Sequence, residues 1–540
     1  MHLTDHDLLQ LDADVLSRLD EEALRRLSGR LLADLKDTRD RLNQNSKNSS
    51  RPPSSDSPYG RSKPESAASD LIIDEQSHAN DKHCEATLAE KYPGDAEQAL
   101  STTAESLGEA NTNIQQTVPV ARAPGRQLGA PGHGRQQSLA VTDTIIHRPG
   151  ECACCEQAFA ATAVGRAYGG YDEIDLLPTD PSAPGLTVSV TRHLPFEIIC
   201  ACGHNTRYRP PRSDVRSEWQ DAGVDRQQML GPRLSSLVIL LSLRYRLSRT
   251  KVREILHELV GVTLSTGLID QTLRQSAGQV APVEDVLLEA IERSPLLNVD
   301  ETGWQESGLS LWFWVLLSEN AVLYFIGSRA KEMFVNALPE GFVGRLMSDG
   351  YGVYRTYENR LRCWAHLIRK ALGLAESTCR MTREIGNTLL TLMKQLMLNV
   401  QTASASDVAS LLIQQQPEID RLKALCESHQ RSSSSKLGAF CREMLRDWTV
   451  IIRPLFDPDL PLTNNAAERQ LRHWVVARKT SFGTRSEQGS RALALLASII
   501  DTCRLRKASA WDYLTDAIRA GRTGLPMPAL PDRGVNDYKK

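Results

Sequence analysis

Three carboxylates sit where they could gather divalent metal. Asp300 closes the apolar run of LNVDETGW, Asp349 follows that of MSDGYGVY, and Glu468 lies in NNAAERQLR, early in a helix that Thr463 or Asn464 can cap. Hard oxygen ligands on rigid elements suit two-metal phosphoryl transfer, with Mg2+ or Mn2+ ions about 4 Å apart serving the attacking and leaving oxygens. A Glu standing alone would read as a surface residue in local salt bridges. Beside two strand-end aspartates it reads as a third ligand. Nine bases against two further acids follow it as far as Lys507, a positive surface fit for a DNA backbone. Arg469, Arg472, Arg478 and Lys479 are the DNA-contacting candidates of that stretch. No Ser or Tyr context argues for a covalent recombinase nucleophile.

A second chemistry comes from cysteine. Five of the eleven cysteines fall between Cys152 and Cys202, and clustering in a chain without an export signal points to metal before disulfides. Cys152 and Cys155 form a CxxC knuckle, and Cys200 and Cys202 form a second pair beyond the β-rich stretch LTVSVTRHLPFEIIC. Two such pairs can close a structural Zn2+ tetrahedron. The second pair is CxC, so the fourth ligand stays open among Cys202, His204 and His193. The competing reading is a cluster of reduced, half-buried thiols.

The elements that must position the acids follow from pattern. PLLNVDETGW, LSLWFWVLLS and AVLYFIGS read as three strands, RAKEMFVNALP as a helix, and GRLMSDGYGVY as a fourth strand. That is the order of a ribonuclease-H-like core, in which the fourth strand lies beside the first. Asp300 and Asp349 then stand near the ends of adjacent strands. The long stretch between Asp349 and Glu468 is helical in pattern, an inserted subdomain over about 377–446. His366, in Cys363-Trp364-Ala365-His366, either lines the active site, binds phosphate or is a buried structural histidine. Trp304 either stacks on an unpaired base or packs in the core.

Upstream, residues 230–290 read as all helix. Ser248 begins one helix, Gly261 stops it, and Ser265 caps the next, as in a DNA-binding helix-turn-helix. In that reading Thr266, Asp270 and Gln271 face bases, while Arg249 and Lys251 grip phosphates. Residues 5–44 carry Leu24, Leu31, Leu35 and Leu42 in one helical stripe, which serves either a coiled coil or an amphipathic packing face. Between Asn43 and Val141 the composition turns to Ser, Pro, Gly, Asn, Gln and Ala, a linker or tether whose Arg/Gly-rich end could touch phosphate.

The 540-residue chain carries 64 Lys+Arg against 66 Asp+Glu, which excludes a uniformly basic DNA-coating protein and leaves locally basic faces. Its longest apolar run, Leu311 to Leu317, is about a third of the roughly 20 residues a bilayer span needs. The acidic amino terminus is no signal peptide, so a cytoplasmic location is expected.

In order along the chain, NSSRPPSSD, GRQLGAPGHG, the cysteine module, LNVDETGW, MSDGYGVY, RCWAHLIRK, NNAAERQLR and ARKTSFGTRSEQGSRAL resemble the blocks of DDE transposases of the insertion sequence 66 family. The resemblance runs from about residue 40 to the carboxyl end. It implies Asp300, Asp349 and Glu468 as the acidic triad of a transposase that binds its element's ends and target DNA, cuts and joins strands, and works at the bacterial nucleoid. A homo-oligomer on DNA and helper proteins from the same element are the expected partners. Two departures stand out: the linker before GAPGHG is long, and the second cysteine pair is one residue short. The alternatives are a non-catalytic DNA-binding regulator derived from such an enzyme, or a metal-dependent nuclease that cuts without joining. The expected architecture is multidomain α+β: an N-terminal helix (1–48), a linker (49–141), a cysteine module (142–215), a helix-turn-helix region (216–292), the catalytic domain with its insertion (293–510) and a tail (511–540).

Overall fold

In the computed structural model, which describes residues 11, 15–16, 18–45, 47–49, 139–178, 182, 185–209, 229–402, 408–457 and 459–533, nearly all of the expected linker lies outside the described residues. Helix α1 (Glu21–Leu42) starts at Asp20, whose carboxylate accepts the Ala23 N–H. Acids in its first turn and Arg39 and Arg41 in its last complement the helix dipole. None of its residues is buried. Leu24, Leu31, Leu35 and Leu42 are exposed, while Asp40 accepts hydrogen bonds from the Ser377 hydroxyl and the Thr378 N–H.

The cysteine module is a five-stranded sheet around β4. Strands β1 (Asp143–His147), β2 (Gly165–Ala167), β3 (Tyr171–Leu176) and β5 (Asn205–Arg207) all pair with β4 (Val188–Ile199), β1 in parallel and the others antiparallel. Asp175 of β3 accepts the Leu234 N–H at 2.7 Å, satisfying a donor at the start of helix α2 (Pro232–Ile239) that α2 itself cannot use. Helix α3 (Arg249–Val260) is capped by Ser248 and ends at Gly261, whose φ of 74° suits a residue without a Cβ. Ser265 caps helix α4 (Thr266–Gln279). The capping residues expected from the sequence thus stand at the observed ends. The second half of α4 is buried in the main core, together with helix α5 (Val283–Glu292).

The central sheet has the order β10-β9-β6-β7-β8. Its strands are β6 (Leu296–Glu306), β7 (Leu309–Leu317), β8 (Val322–Gly327), β9 (Arg345–Ser348), reached through helix α6 (Lys331–Ala337), and β10 (Arg360–Arg362). The first three form an antiparallel meander, and β9 returns to lie parallel beside β6. Helix α7 (Trp364–Ala375) leaves β10 and leads into α8 (Arg380–Thr402), α9 (Val408–His429), α10 (Ser435–Arg446) and α11 (Trp448–Ile452). These helices bury their own cluster, with Trp364, Met393, Leu422 and Phe440 inside, so the insertion carries its own hydrophobic core. Helices α12 (Asn465–Ser481) and α13 (Glu487–Leu505) close the main core against the sheet.

The segment expected as a tail from 511 is instead helix α14 (Ala510–Thr523), packed on α2 with Tyr513, Leu514, Ala517 and Ile518 buried. The apolar spacing of those four is that of one helix face, the signal a tail reading overlooks. Among the described residues no helix is long and apolar enough to cross a membrane.

Candidate active site

Strand register brings the first two acids together. Leu297 stands opposite Leu346 and Asn298 opposite Met347, the last pair of that ladder, so Asp300 and Asp349 each follow it by two residues on neighbouring chains. Helix α12 packs on β6 and delivers Glu468. Burial pushes the Asp300 carboxyl well above the usual range, and repulsion from Glu301, Asp349 and Glu468 adds to it. Opposing these is a hydrogen bond from the Glu301 N–H to Asp300 Oδ1 at 2.9 Å. Asp349 is fixed by the Tyr351 N–H, 2.8 Å from its Oδ1.

Two neighbours of Glu468 come from α7. Arg369 Nη2 donates to Oε1 at 3.1 Å, and His366 Nδ1 lies 3.7 Å from the same oxygen. His366 is buried; desolvation, then Arg369, Arg362 and Lys370, hold its pKa down to about 3, so the ring is neutral. Its Nδ1 makes no hydrogen bond. Of the three roles open to His366, a place beside Glu468 is compatible with each. Glu301, overlooked by sequence reasoning, is almost wholly buried and is held by Arg329 at 2.7 Å and by the Tyr354 hydroxyl. The Arg329 guanidinium itself lies over the rings of Trp312 and Tyr351. The adjacent Asp-Glu pair on one strand was the available signal.

Asn464 occupies the cap position of α12 but its side chain does not cap. It is fully buried, donating to the Val299 carbonyl at 2.8 Å and accepting from Asn298 Nδ2 at 3.0 Å. Its own N–H reaches Cys363 Sγ at 3.1 Å. Strand β6, the start of α7 and the start of α12 are stitched at one residue. A buried amide with partners on offer satisfies them before it caps its own helix.

Arg478 departs from its expected DNA contact. It turns to the sheet, donating to Thr302 Oγ1 at 3.1 Å and to the Gly303 carbonyl. Arg469, Arg472 and Lys479 are exposed, spaced three and seven residues apart along one face of α12. Trp304 is only 2% exposed, packs on Phe313 and donates from Nε1 to Thr484 Oγ1, so it belongs to the core. In the α3–α4 region Thr266, Gln271 and Lys251 are exposed, as expected of contact residues. Arg249 instead pairs with Asp270 at 3.5 Å, bracing the two helices.

The four cysteines do converge. Sγ of Cys152 lies 3.7 Å from that of Cys202, Sγ of Cys155 lies 3.6 Å from that of Cys200, and all four are within 4.8 Å of one another. Tetrahedral zinc with Zn–S of about 2.3 Å requires sulfurs roughly 3.8 Å apart, so the group could hold such a metal. Backbone donors of Cys155 and Cys154 and the Thr206 hydroxyl lower the Cys152 thiol to about 6, the direction a thiolate ligand needs. The open fourth position falls to Cys202. His193 is stacked between Tyr171 and His147, with its Nδ1 2.9 Å from His147 Nε2.

Comparison with known proteins gives a family for part of the chain. Residues 227–492 match the model of the transposase IS66 family, and residues 11–85 match a family of unknown function. Three relatives are uncharacterized proteins of Sinorhizobium fredii. One, y4qI, is 25% identical over 50% of this chain and 56% of its own length. A second, y4jO, is 26% identical over 34% of this chain and 56% of its own. A third, y4jD, is 23% identical over 79% of this chain and 88% of its own. The chain therefore spans little more than half the length of the first two.

Proposed function

Through residues 227–492 the chain belongs to the IS66 transposase family, and from that premise we propose that it binds the ends of an insertion sequence and catalyses metal-dependent DNA cleavage and strand transfer with Asp300, Asp349 and Glu468. One observation carries the reading: Asp300 on β6 is desolvated beside Glu301, and Asp349 after β9 and Glu468 on α12, both distant in sequence, add like charge to it. Such concentrated like charge is unfavourable unless a cation is to be held there. The sheet order β10-β9-β6-β7-β8, with β9 parallel to β6, supports a ribonuclease-H-like core.

The donor set fits Mg2+ or Mn2+. Asp300, Asp349 and Glu468 offer hard oxygens, and the unbonded Nδ1 of neutral His366 faces Glu468. When bound, the ions supply Lewis-acid activation of a water or 3′-hydroxyl and charge stabilisation at the leaving oxygen. The protein holds the acids: Asn464 ties β6 to α12, and Arg369 sets the rotamer of Glu468. Arg469, Arg472 and Lys479 line the exposed face beside Glu468, where a phosphodiester backbone would lie. The deciding experiment offers a pre-cut terminal end of the element and a target duplex with Mg2+ or Mn2+. Joined product is expected; cutting without joining would demote the protein to a nuclease, and binding alone to a regulator.

Reading of the element's ends falls to α3 and α4, where Gln271 and Thr266 project from the first turns of α4 and Lys251 from α3. Gln271→Ala is expected to shift preference among end sequences by about 1–3 kcal/mol at one base position. Lys251→Ala should weaken binding to all sequences and lower the salt slope by about one. Electrophoretic mobility shifts across a salt series measure both. Unchanged end preference in both variants would transfer recognition to the cysteine module. Homo-oligomerisation on DNA is supported by the exposed leucine stripe of α1.

A further inference from the structure

Helix α12 ends on an unusual residue. Phe482, at its C-cap, has φ 58° and ψ 27°. Left-handed backbone at a helix end normally belongs to Gly, because a Cβ there crowds the neighbouring carbonyl. Among the described residues Phe482 is the sole aromatic with positive φ. It is also 72% exposed, the most exposed aromatic of the described hydrophobic surface. A large apolar ring held in water on strained backbone is doubly unfavourable, and strain of this kind persists where function needs it.

The loop that carries the ring is clamped. Thr484 N–H donates to the Gln305 carbonyl and Ser307 N–H to the Thr484 carbonyl, both at 2.9 Å. Trp304 Nε1 holds Thr484 Oγ1, and the Ser307 hydroxyl donates to the Arg485 carbonyl at 3.2 Å. Gly483 lies so close that a Cβ would run into the Gln305 carbonyl. The end of β6 therefore presents Phe482 rigidly. Around it the surface is basic: Lys479 lies one turn back and Arg485 three residues on, both exposed.

We propose that Phe482 is a DNA wedge, stacking on an unpaired base or opened base step while the row Arg469, Arg472 and Lys479 follows the phosphates. Glu468 and Phe482 are fourteen residues apart, roughly 21 Å at 1.5 Å per residue, or about six base pairs of duplex. The ring would thus mark a point on DNA a fixed distance from the acids. Inserted apolar side chains of this kind open or kink base steps, and stacking tolerates any base because every base has a π-face. The inference rests on the reading that this face of α12 lies on DNA.

The test measures affinity of the full-length protein for two probes, a fully paired duplex and the same duplex with several mismatched pairs at one end. Wild type is expected to prefer the frayed probe. Phe482→Ala should lose about tenfold of that preference and leave affinity for the paired duplex and its salt slope unchanged. Phe482→Trp should restore the preference, and Phe482→Gly should melt no lower than wild type, since Gly relieves the backbone. Arg472→Ala and Lys479→Ala should weaken both probes alike. If those two changes have no effect, the DNA face itself is misplaced. If they weaken binding while Phe482→Ala keeps the preference intact, the wedge is wrong and the face stands.

Discussion

Asp300→Asn is expected to abolish cleavage and joining, to leave DNA binding intact, and to raise the melting temperature of the metal-free protein. The first outcome follows from the carboxylate's place as the shared neighbour of Asp349 and Glu468. A ligand whose charge stabilisation amounts to several kcal/mol leaves about a thousandfold less activity when it is neutralised, at 1.4 kcal/mol per decade. The second follows because the basic row on α12 and the exposed residues of α3 and α4 are untouched. The third follows from electrostatics: Asn fills the same space and still accepts the Glu301 N–H, but burying it carries no charge penalty and no repulsion from three carboxylates. A gain of about 1 kcal/mol would raise the melting point by roughly 2–4 °C. Mg2+ should then stabilise wild type and not the variant, because only wild type has the full site to bind it. Thermal melts with and without MgCl2, run beside a binding assay and a joining assay, measure all four. Joining by the Asn variant would remove Asp300 from the chemistry. Lost DNA binding with an unchanged fold would make it a recognition residue.

Much of this site could be read from the chain because its signals are local. The Ser caps of α3 and α4 and the CxxC spacing follow from short-range chemistry, and each lies where its pattern put it. The first strand, expected to end in an acidic turn at Asp300, instead runs on to Glu306 because it pairs with β7 along that whole stretch. What the chain did not disclose depends on long-range partners. Asn464 carries a capping residue's identity, yet its amide is spent on Asn298 and Val299, more than a hundred residues upstream. Arg478 sits among bases that face solvent, yet its position on the helix points it at Gly303. Arg249 looked like a phosphate grip because Asp270, its actual partner, lies across a turn whose geometry sequence does not fix. Trp304 and Phe482 show the same limit from opposite sides. The tryptophan beside the acid is buried to anchor a loop, and the phenylalanine of that loop takes the exposed position. No periodicity distinguishes them, since exposure there is decided by the β6 end against which the loop is clamped.

Removal of metal should have its largest structural effect far from the acids, in the cysteine module. Its sheet buries few apolar side chains of its own: Ile174, Leu176 and Val190 join the main core and leave Ile198, too few to repay by themselves the ordering of some sixty residues. The four thiols converge at the distances a tetrahedral ion requires, at the point where the β4–β5 connection meets the Cys152 knuckle. We therefore expect one Zn2+ per chain by elemental analysis of the purified full-length protein. Structural zinc is worth about 10–16 kcal/mol near neutral pH, more than the whole stability of a small domain. Chelation, or Cys200→Ser, should therefore unfold residues 142–209 while the main core remains folded, seen as rapid hydrogen exchange confined to β1–β5. Because zinc ligates thiolates and Cys152 is lowered to about 6, zinc should be held at pH 7 and released as the pH falls through the range where protons reclaim the sulfurs. A zinc-free preparation with protected β-strands would return the cluster to reduced thiols in a self-sufficient core. Selective melting of the module would instead show that its fold is written in four sulfur atoms, and that Asp175, which meets the start of α2, docks a metal-dependent unit onto the core.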